Sequence, residues 1–361
     1  MMTDIDELGT NIPSLFPHNH ASNIILLRNG DRLCVWFGGS REGRADISIL
    51  LSRLNKGSDE WSTPTVVSND SERSEQNPIL FENPNGELWL IYTAQDAVHQ
   101  DSAVVRCRIS NDNGYTWSNV KTLFDKSGSF VRNPPVVLEN GDIILPAYYS
   151  LKSEDGFLGN DFSVVKISSD NGKTWTEHEV EKSKGLVHMS IVRLADDNLV
   201  AFFRSRKADY IYRSTSSDYG KTWTTPEKTE LPNNNASIQG LRLNNDSIAV
   251  IFNNINAEMK PPVENRPPWF DKSDMDAVGV KEKENPSAIW GVQRSPLAIA
   301  VSEDEGLTWP YIKNIVTDVE GNPEFSYPSI EKIEDNKIDI TFTNRRDCIR
   351  YLSLQKDWLK S

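Results

Sequence analysis

Four segments of the chain repeat one eight-residue pattern, Ser-x-Asp-x-Gly-x-Thr-Trp. They are SNDNGYTW at 110–117, SSDNGKTW at 168–175, SSDYGKTW at 216–223 and SEDEGLTW at 302–309. A reduced copy, KGSDEW, ends at Trp61. The pattern describes a turn. Its Asp carboxylate bonds backbone amides two residues on, Gly supplies a positive φ, and Thr returns the chain to extended geometry. The closing Trp offers a broad apolar face to a neighbouring hairpin. Recurrence at intervals of tens of residues marks a repeat architecture, in which each copy punctuates one supersecondary unit.

The segments between the copies read as β throughout. SNIILLRNGDRLCVWFGG, NPILFENPNGELWLIYTA, PVVLENGDIILPAYYS, SIVRLADDNLVAFFRS, SIQGLRLNNDSIAVIFNN and YPSIEKIEDNKIDITFTN each run strand, polar turn, strand. Each of these six hairpins is followed by a further strand pair, and no segment keeps a helical period. The expected fold is all-β, a six-bladed β-propeller of about 60 residues per blade, whose closure removes open sheet edges. One domain, 1–361, is expected. The repeat spacing breaks once: 86 residues separate Ser216 from Ser302, against 58 and 48 for the two preceding intervals. The excess, 256–290, is rich in Pro and charge. It reads as a solvated loop or as a flap over the central cavity, with Trp269, Phe270 and Trp290 as sugar-stacking surfaces.

Composition removes other classes. The 39 Lys+Arg against 52 Asp+Glu leave a net charge of −13, which opposes a nucleic-acid partner. A local Arg cluster can still bind a small anion. No window approaches the roughly 18 uninterrupted apolar residues of a membrane helix, so no membrane partner is expected. Three Cys exclude a disulfide framework and show no zinc spacing, and no metal or cofactor constellation is evident. The acidic start MMTDIDELGTNIPS lacks the basic and apolar regions of a secretion signal, and the expected location is cytoplasmic.

The repeated turn is the Asp-box, and a six-hairpin chain that carries it resembles the sialidase superfamily over roughly residues 18–358. The boxes themselves are scaffold; chemistry is expected at the pore end of the inner strands. The resemblance implies three Arg around a substrate carboxylate, a Tyr nucleophile paired with a Glu, and an acidic acid/base residue. Residue by residue, WGVQRSPLAIAVSEDEGLTW implies Arg294 as one carboxylate ligand, and SYPSIEKIEDNKIDITF implies Tyr327 as nucleophile. SIQGLRL implies a site role for Gln239. The chain departs from the family elsewhere. HASNIILLRNGD carries His20 where an Arg is expected, and VHMSIVRLADDNLV carries His188 where the Glu is expected. The second-Arg frame holds Ile211 or Tyr212, with Arg204 and Arg206 nearby but out of register.

Residue chemistry fills in the remainder. Two His bring groups that titrate near neutrality. Glu324, three residues before Tyr327, is a candidate substitute for the missing Glu, because a Tyr nucleophile needs a base or carboxylate neighbour. In SREGRADISILLSR, Glu42 is the preferred general acid and Asp46 the alternative, with Arg41 as a substrate contact. Gln76, Asn77, Gln95 and Arg132 sit at strand ends and suit sugar-hydroxyl recognition. The leading expectation is an exo-glycosidase acting on a terminal acidic or deoxy sugar of a glycan. A lyase acting on uronic-acid glycans and a non-catalytic glycan-binding propeller are the alternatives.

Overall fold

The computed structural model describes residues 9–360 apart from 69, 152–159, 245–246, 278–286, 318–320 and 322. Six antiparallel sheets form in chain order. Blade one comprises His18–Leu26, Arg32–Gly39, Ser48–Leu54 and Thr65–Val66; blade two comprises Ser74–Glu82, Leu88–Asp96, His99–Ser110 and Lys121–Phe124. In blade three the innermost strand is split into Ser129–Phe130 and Val136–Val137, both paired with Ile143–Tyr149. The split falls at Arg132-Asn133-Pro134-Pro135, where Pro cannot donate to a ladder. Blades four and five start at Leu186–Arg193 and Gln239–Arg242. Blade six takes Phe325–Glu334, Lys337–Asn344 and Cys348–Gln355, and Thr10–Ile12 completes it by pairing with Cys348–Gln355. The ring is therefore closed by a strand from the other end of the chain, and the six-bladed propeller is the observed fold.

First strands of successive blades face one another around the axis, and side chains bond across the seams. Asn23 accepts from Leu80 N at 2.8 Å, Ser190 Oγ from Gly240 N at 2.9 Å, and Ser329 Oγ from Ile24 N at 3.2 Å. Gln239 donates to Ile330 O at 3.1 Å and accepts from Ile330 N at 3.3 Å. Each satisfies a backbone group that the neighbouring blade would otherwise bury unpaired. Apolar clusters fill the space between blades, as where Leu33, Val35 and Leu51 of blade one meet Leu80 and Leu90 of blade two.

The four boxes occupy the turns between third and fourth strands. Their bonding reaches further than the sequence suggests: each Asp accepts from the Thr amide four residues on, at 2.8–2.9 Å, and from that Thr's hydroxyl. The box Ser hydroxyl in turn caps the Gly amide at 2.7–3.0 Å. Gly is required twice over at 172. Its φ is +83°, and a Cβ there would lie 2.5 Å from the Trp89 ring of the preceding blade. The box is thus a seam between blades as well as a turn.

Inner strands carry the feature that aims residues at the pore. In blades one, two, four and six a register shift falls between His20 and Asn23, Gln76 and Ile79, Val187 and Ser190, and Ser326 and Ser329. Ala21, Asn77, His188 and Tyr327, one in each bulge, have φ between 50° and 60°. A bulge with one left-handed residue re-aims a side chain and costs local strain. Among the described residues no helix is long and apolar enough to cross a membrane.

Candidate functional site

Tyr327 stands at the centre of the pore end and is buried. Its hydroxyl oxygen accepts from Arg204 Nη1 at 2.7 Å. Its ring lies 4.2 Å from that of His20 and, edge-on, 5.6 Å from that of His188. The guanidinium groups of Arg132, Arg204 and Arg294 lie 5.4, 5.7 and 5.3 Å from its centroid. Three Arg do surround the Tyr, then, but two of them come from positions outside the family frames. Arg204 reaches in from the second strand of blade four, where it pairs with Val187 on the first. Arg132 projects from the broken strand of blade three, and its Nη2 donates to the carbonyls of Ser22, Tyr327 and Pro328.

Beside this cluster lies a charge network that the sequence reading did not contain. Arg346, in the turn after Lys337–Asn344, donates to Glu324 at 2.8 Å, to Glu42 at 2.5 Å and to His18 Nε2 at 3.2 Å, with His20 Nε2 at 3.4 Å. Glu324 is shared with Arg294 at 2.5 Å and accepts from Ser326 Oγ at 2.7 Å. Burial alone would raise the Glu324 carboxyl, but Arg294 and Arg346 outweigh it and hold it well below the usual range. Because a guanidinium only donates, the Nε2 atoms of His18 and His20 are acceptors. His20 Nδ1–H is then left to donate to Thr343 Oγ1 at 2.8 Å. Burial first, and the surrounding Arg second, keep His20 and His188 neutral and push His18 down to about 3. The two His therefore offer lone pairs rather than positive charge.

A third group completes the wall. His188 Nε2 lies 3.2 Å from the Tyr148 hydroxyl, and Tyr148 stacks on Phe130 at 5.0 Å. Arg206 is paired with Asp161 at 2.7 Å, and Asn235 accepts from Arg204 at 2.8 Å. Tyr148 and Asp161 escaped sequence reasoning, as Arg346 did; Arg346 had a local signal in the doublet Arg345-Arg346, and Asn235 in the polar run LPNNN that ends on it. Five guanidinium groups thus meet three carboxylates here, Glu42, Glu324 and Asp161. Among the described residues, Nε and Nη1 of Arg132 and Nη2 of Arg204 have no protein acceptor. Burial, and then their proximity to other Arg, lowers Arg132 and Arg204 to about 10. Both effects are those of buried positive charge awaiting a counter-charge.

Other predicted residues lie elsewhere or are engaged by the protein. Asp46 is exposed and accepts from the amide and hydroxyl of Ser40, so it braces its own loop; Glu42 is the carboxyl that reaches the network. Arg41 is engaged by the insertion and bonds Asp271 at 2.9 Å and Asp274 at 3.0 Å. Gln239 spends its amide on Ile330, as described above. Gln95 donates to Ala97 O at 2.7 Å, and Gln76 to Ser74 Oγ at 2.9 Å, while Asn77 forms the bulge. Trp269, Phe270 and Trp290 are buried in one apolar cluster, and Trp290 also borders the cavity beside Arg294. They meet edge to face at 5.3–5.9 Å and pack with Val98 of blade two. Trp290 also lies under Arg204 and Arg206, at 5.6 and 5.1 Å. The insertion, of which 278–286 lie outside the described residues, so reaches from blade five to blades one and two. A cavity of about 100 Å³ between Pro268, Trp290, Arg294 and Glu324 opens beside the cluster.

The sequence profile of the BNR repeat-like domain matches residues 30–340. The chain belongs to the BNR repeat-like domain family. This BNR repeat-like propeller is 30% identical over 154 residues to a sialidase of Clostridium perfringens, covering 39% of this chain and 38% of that protein. It is 25% identical over 209 residues to a sialidase of Paraclostridium sordellii, covering 50% of each. The matches thus span half or less of these curated relatives. Among solved structures, a Hadza microbial sialidase superposes with a TM-score of 0.72 at 14% identity, covering 97% of this chain and 69% of that one. That likeness shows a shared fold.

Proposed function

We propose that this protein is a sialidase-like exo-acting glycoside hydrolase that releases a terminal acidic sugar from a glycan. One observation carries the reading: three guanidinium groups surround Tyr327, and those of Arg132 and Arg204 hold donors that no group among the described residues accepts. A planar carboxylate suits such donors in number, geometry and charge. With the carboxylate on Arg132 and Arg204, the Tyr327 oxygen attacks the anomeric carbon as the bond to the departing oxygen breaks. The phenol proton passes to solvent as the bond forms, and Arg204, which donates to that oxygen at 2.7 Å, stabilises the charge that develops on it. Glu42, in its acid form, delivers a proton to the departing oxygen. Water then cleaves the tyrosyl–sugar bond and restores Tyr327. His20, fixed between Arg346 and Thr343, orients the Tyr327 ring.

A lyase is the second reading, favoured by a specific feature: both nearby Glu are ion-paired while both His are neutral and flank Tyr327. In it Arg132 and Arg204 neutralise a uronate, a neutral His removes the C5 proton, and Tyr327 gives its hydroxyl proton to the glycosidic oxygen as that bond breaks. A panel of glycans with acidic termini, read by mass and near-ultraviolet absorbance, separates the two. Hydrolysis adds one water to the summed products and leaves no absorbing double bond; elimination adds no water and leaves one absorbing double bond. Tyr327→Phe is expected to lower hydrolysis by about 10³-fold or more. Retained turnover in that variant rules out the covalent route, and binding of a glycan without any product overturns the enzymatic reading.

A further inference from the structure

We propose that the 256–290 insertion positions Glu42, with Asp271 and Asp274 as the positioning residues; this rests on the reading of Glu42 as the acid. The loop from Ser40 to Asp46 is gripped from two sides. On its outer side Arg41 bonds Asp271 and Asp274, and Arg44 Nη2 lies 3.4 Å from Asp274. Gly43 adopts a φ of +81°, and a Cβ there would lie 2.9 Å from Val98 Cγ1. Val98 belongs to the same apolar cluster as Trp269, Phe270 and Trp290. Residues 41, 43 and 44 therefore all abut the insertion or the side chain it packs against. Glu42, between them, turns the other way into the pore and meets Arg346.

The two aspartates are themselves preset. Asp271 N donates to Asp274 Oδ2 at 3.0 Å, and Asp274 N to Asp271 Oδ1 at 3.0 Å. Asp274 is buried, with 6% of its side chain exposed, and it is shared by two Arg. An isolated surface ion pair fixes little; a buried carboxylate bridging two guanidinium groups of one loop fixes that loop's backbone. With those contacts gone, the loop keeps its Ser40–Asp46 brace but loses the ion pairs that fix residues 41 and 44 on either side of Glu42. A carboxyl displaced by an ångström from a departing oxygen loses much of its value as an acid.

The test is the double variant Asp271→Asn/Asp274→Asn, compared with wild type for amide hydrogen exchange at residues 40–46 and for turnover of alkyl-linked glycans with acidic termini, whose departing oxygen needs a proton. Exchange in that loop is expected to rise by about tenfold or more. Turnover is expected to fall about tenfold to a hundredfold with KM nearly unchanged, and Asp274→Glu is expected to retain protection. Exchange equal to wild type overturns the proposal. So does faster exchange with unchanged turnover. The exchange arm needs no substrate, so it is separable from the reading of the site: full turnover in Glu42→Gln sinks Glu42 as acid and leaves the exchange result standing.

Discussion

Replacing Glu324 by Gln tests the charge network directly. One carboxylate oxygen accepts from Arg294 Nη1 at 2.5 Å and from Ser326 Oγ at 2.7 Å; the other accepts from Arg346 Nε at 2.8 Å. Gln presents an acceptor on one side only. If it keeps Arg294 and Ser326, its amide nitrogen faces another donor at Arg346. A lost hydrogen bond to a charged group costs about 1.5–3 kcal/mol, and breaking a buried ion pair costs about 3–5 kcal/mol. Arg346 retains Glu42 at 2.5 Å, which places the loss toward the lower part of that range, at about 2–4 kcal/mol. The pH dependence follows from the direction of the shift. The folded-state value lies below the unfolded one of about 4.3, so the stabilisation is complete above the unfolded value. It is lost as pH falls through the folded one. Urea unfolding of both proteins at pH 7, 5.5 and 3.5 should show a constant gap at the two higher values and a narrowing one below. A gap under about 0.5 kcal/mol at pH 7, or one that narrows as pH rises from 5.5 to 7, would refute the reasoning.

Two further substitutions probe the scaffold. Gln239→Leu strips the N–H and C=O of Ile330 of their partner and should cost about 1–3 kcal/mol in denaturant unfolding, while turnover of a cleaved glycan stays at the wild-type level; a large drop in turnover would return Gln239 to the site. Gly172→Ala should destabilise more than Gly141→Ala. Both glycines have φ above +80°, but a Cβ at 172 meets Trp89 at 2.5 Å, whereas one at 141 meets nothing within 4 Å. Equal losses in thermal melting of the two variants would mean that the box does not act as a seam.

Much of the architecture was legible because its determinants are local. Each box is eight residues long and closes on its own Ser, Asp and Thr, and each hairpin announces itself by a polar turn between apolar strands. The same locality served the inner strands: Tyr327, His20 and His188 stand at or beside comparable bulges and do meet at the pore. Local frames failed where a long side chain acts far from its own backbone. Arg204 looked out of register because its strand position was compared; its guanidinium nonetheless bonds the Tyr327 oxygen. Arg41, in a loop beside the pore, was assigned to substrate, yet two acidic residues of the insertion, 230 and 233 positions away, hold it. Trp269 and Phe270 read as sugar platforms because aromatic composition does not distinguish a stacking surface from a small core.

The amino-acid sequence by itself determined the ring of blades, since turn chemistry and strand alternation act within a dozen residues and recur in every unit. Tertiary structure alone decided the electrostatics of the pore. Arg346 meets Glu42 across 304 residues of chain, and Arg204 meets Tyr327 across 123. Coulomb interactions depend on distance in space, so which guanidinium groups pair with a carboxylate of the protein, and which keep donors without an acceptor among the described residues, is set only when the last blade closes on the first.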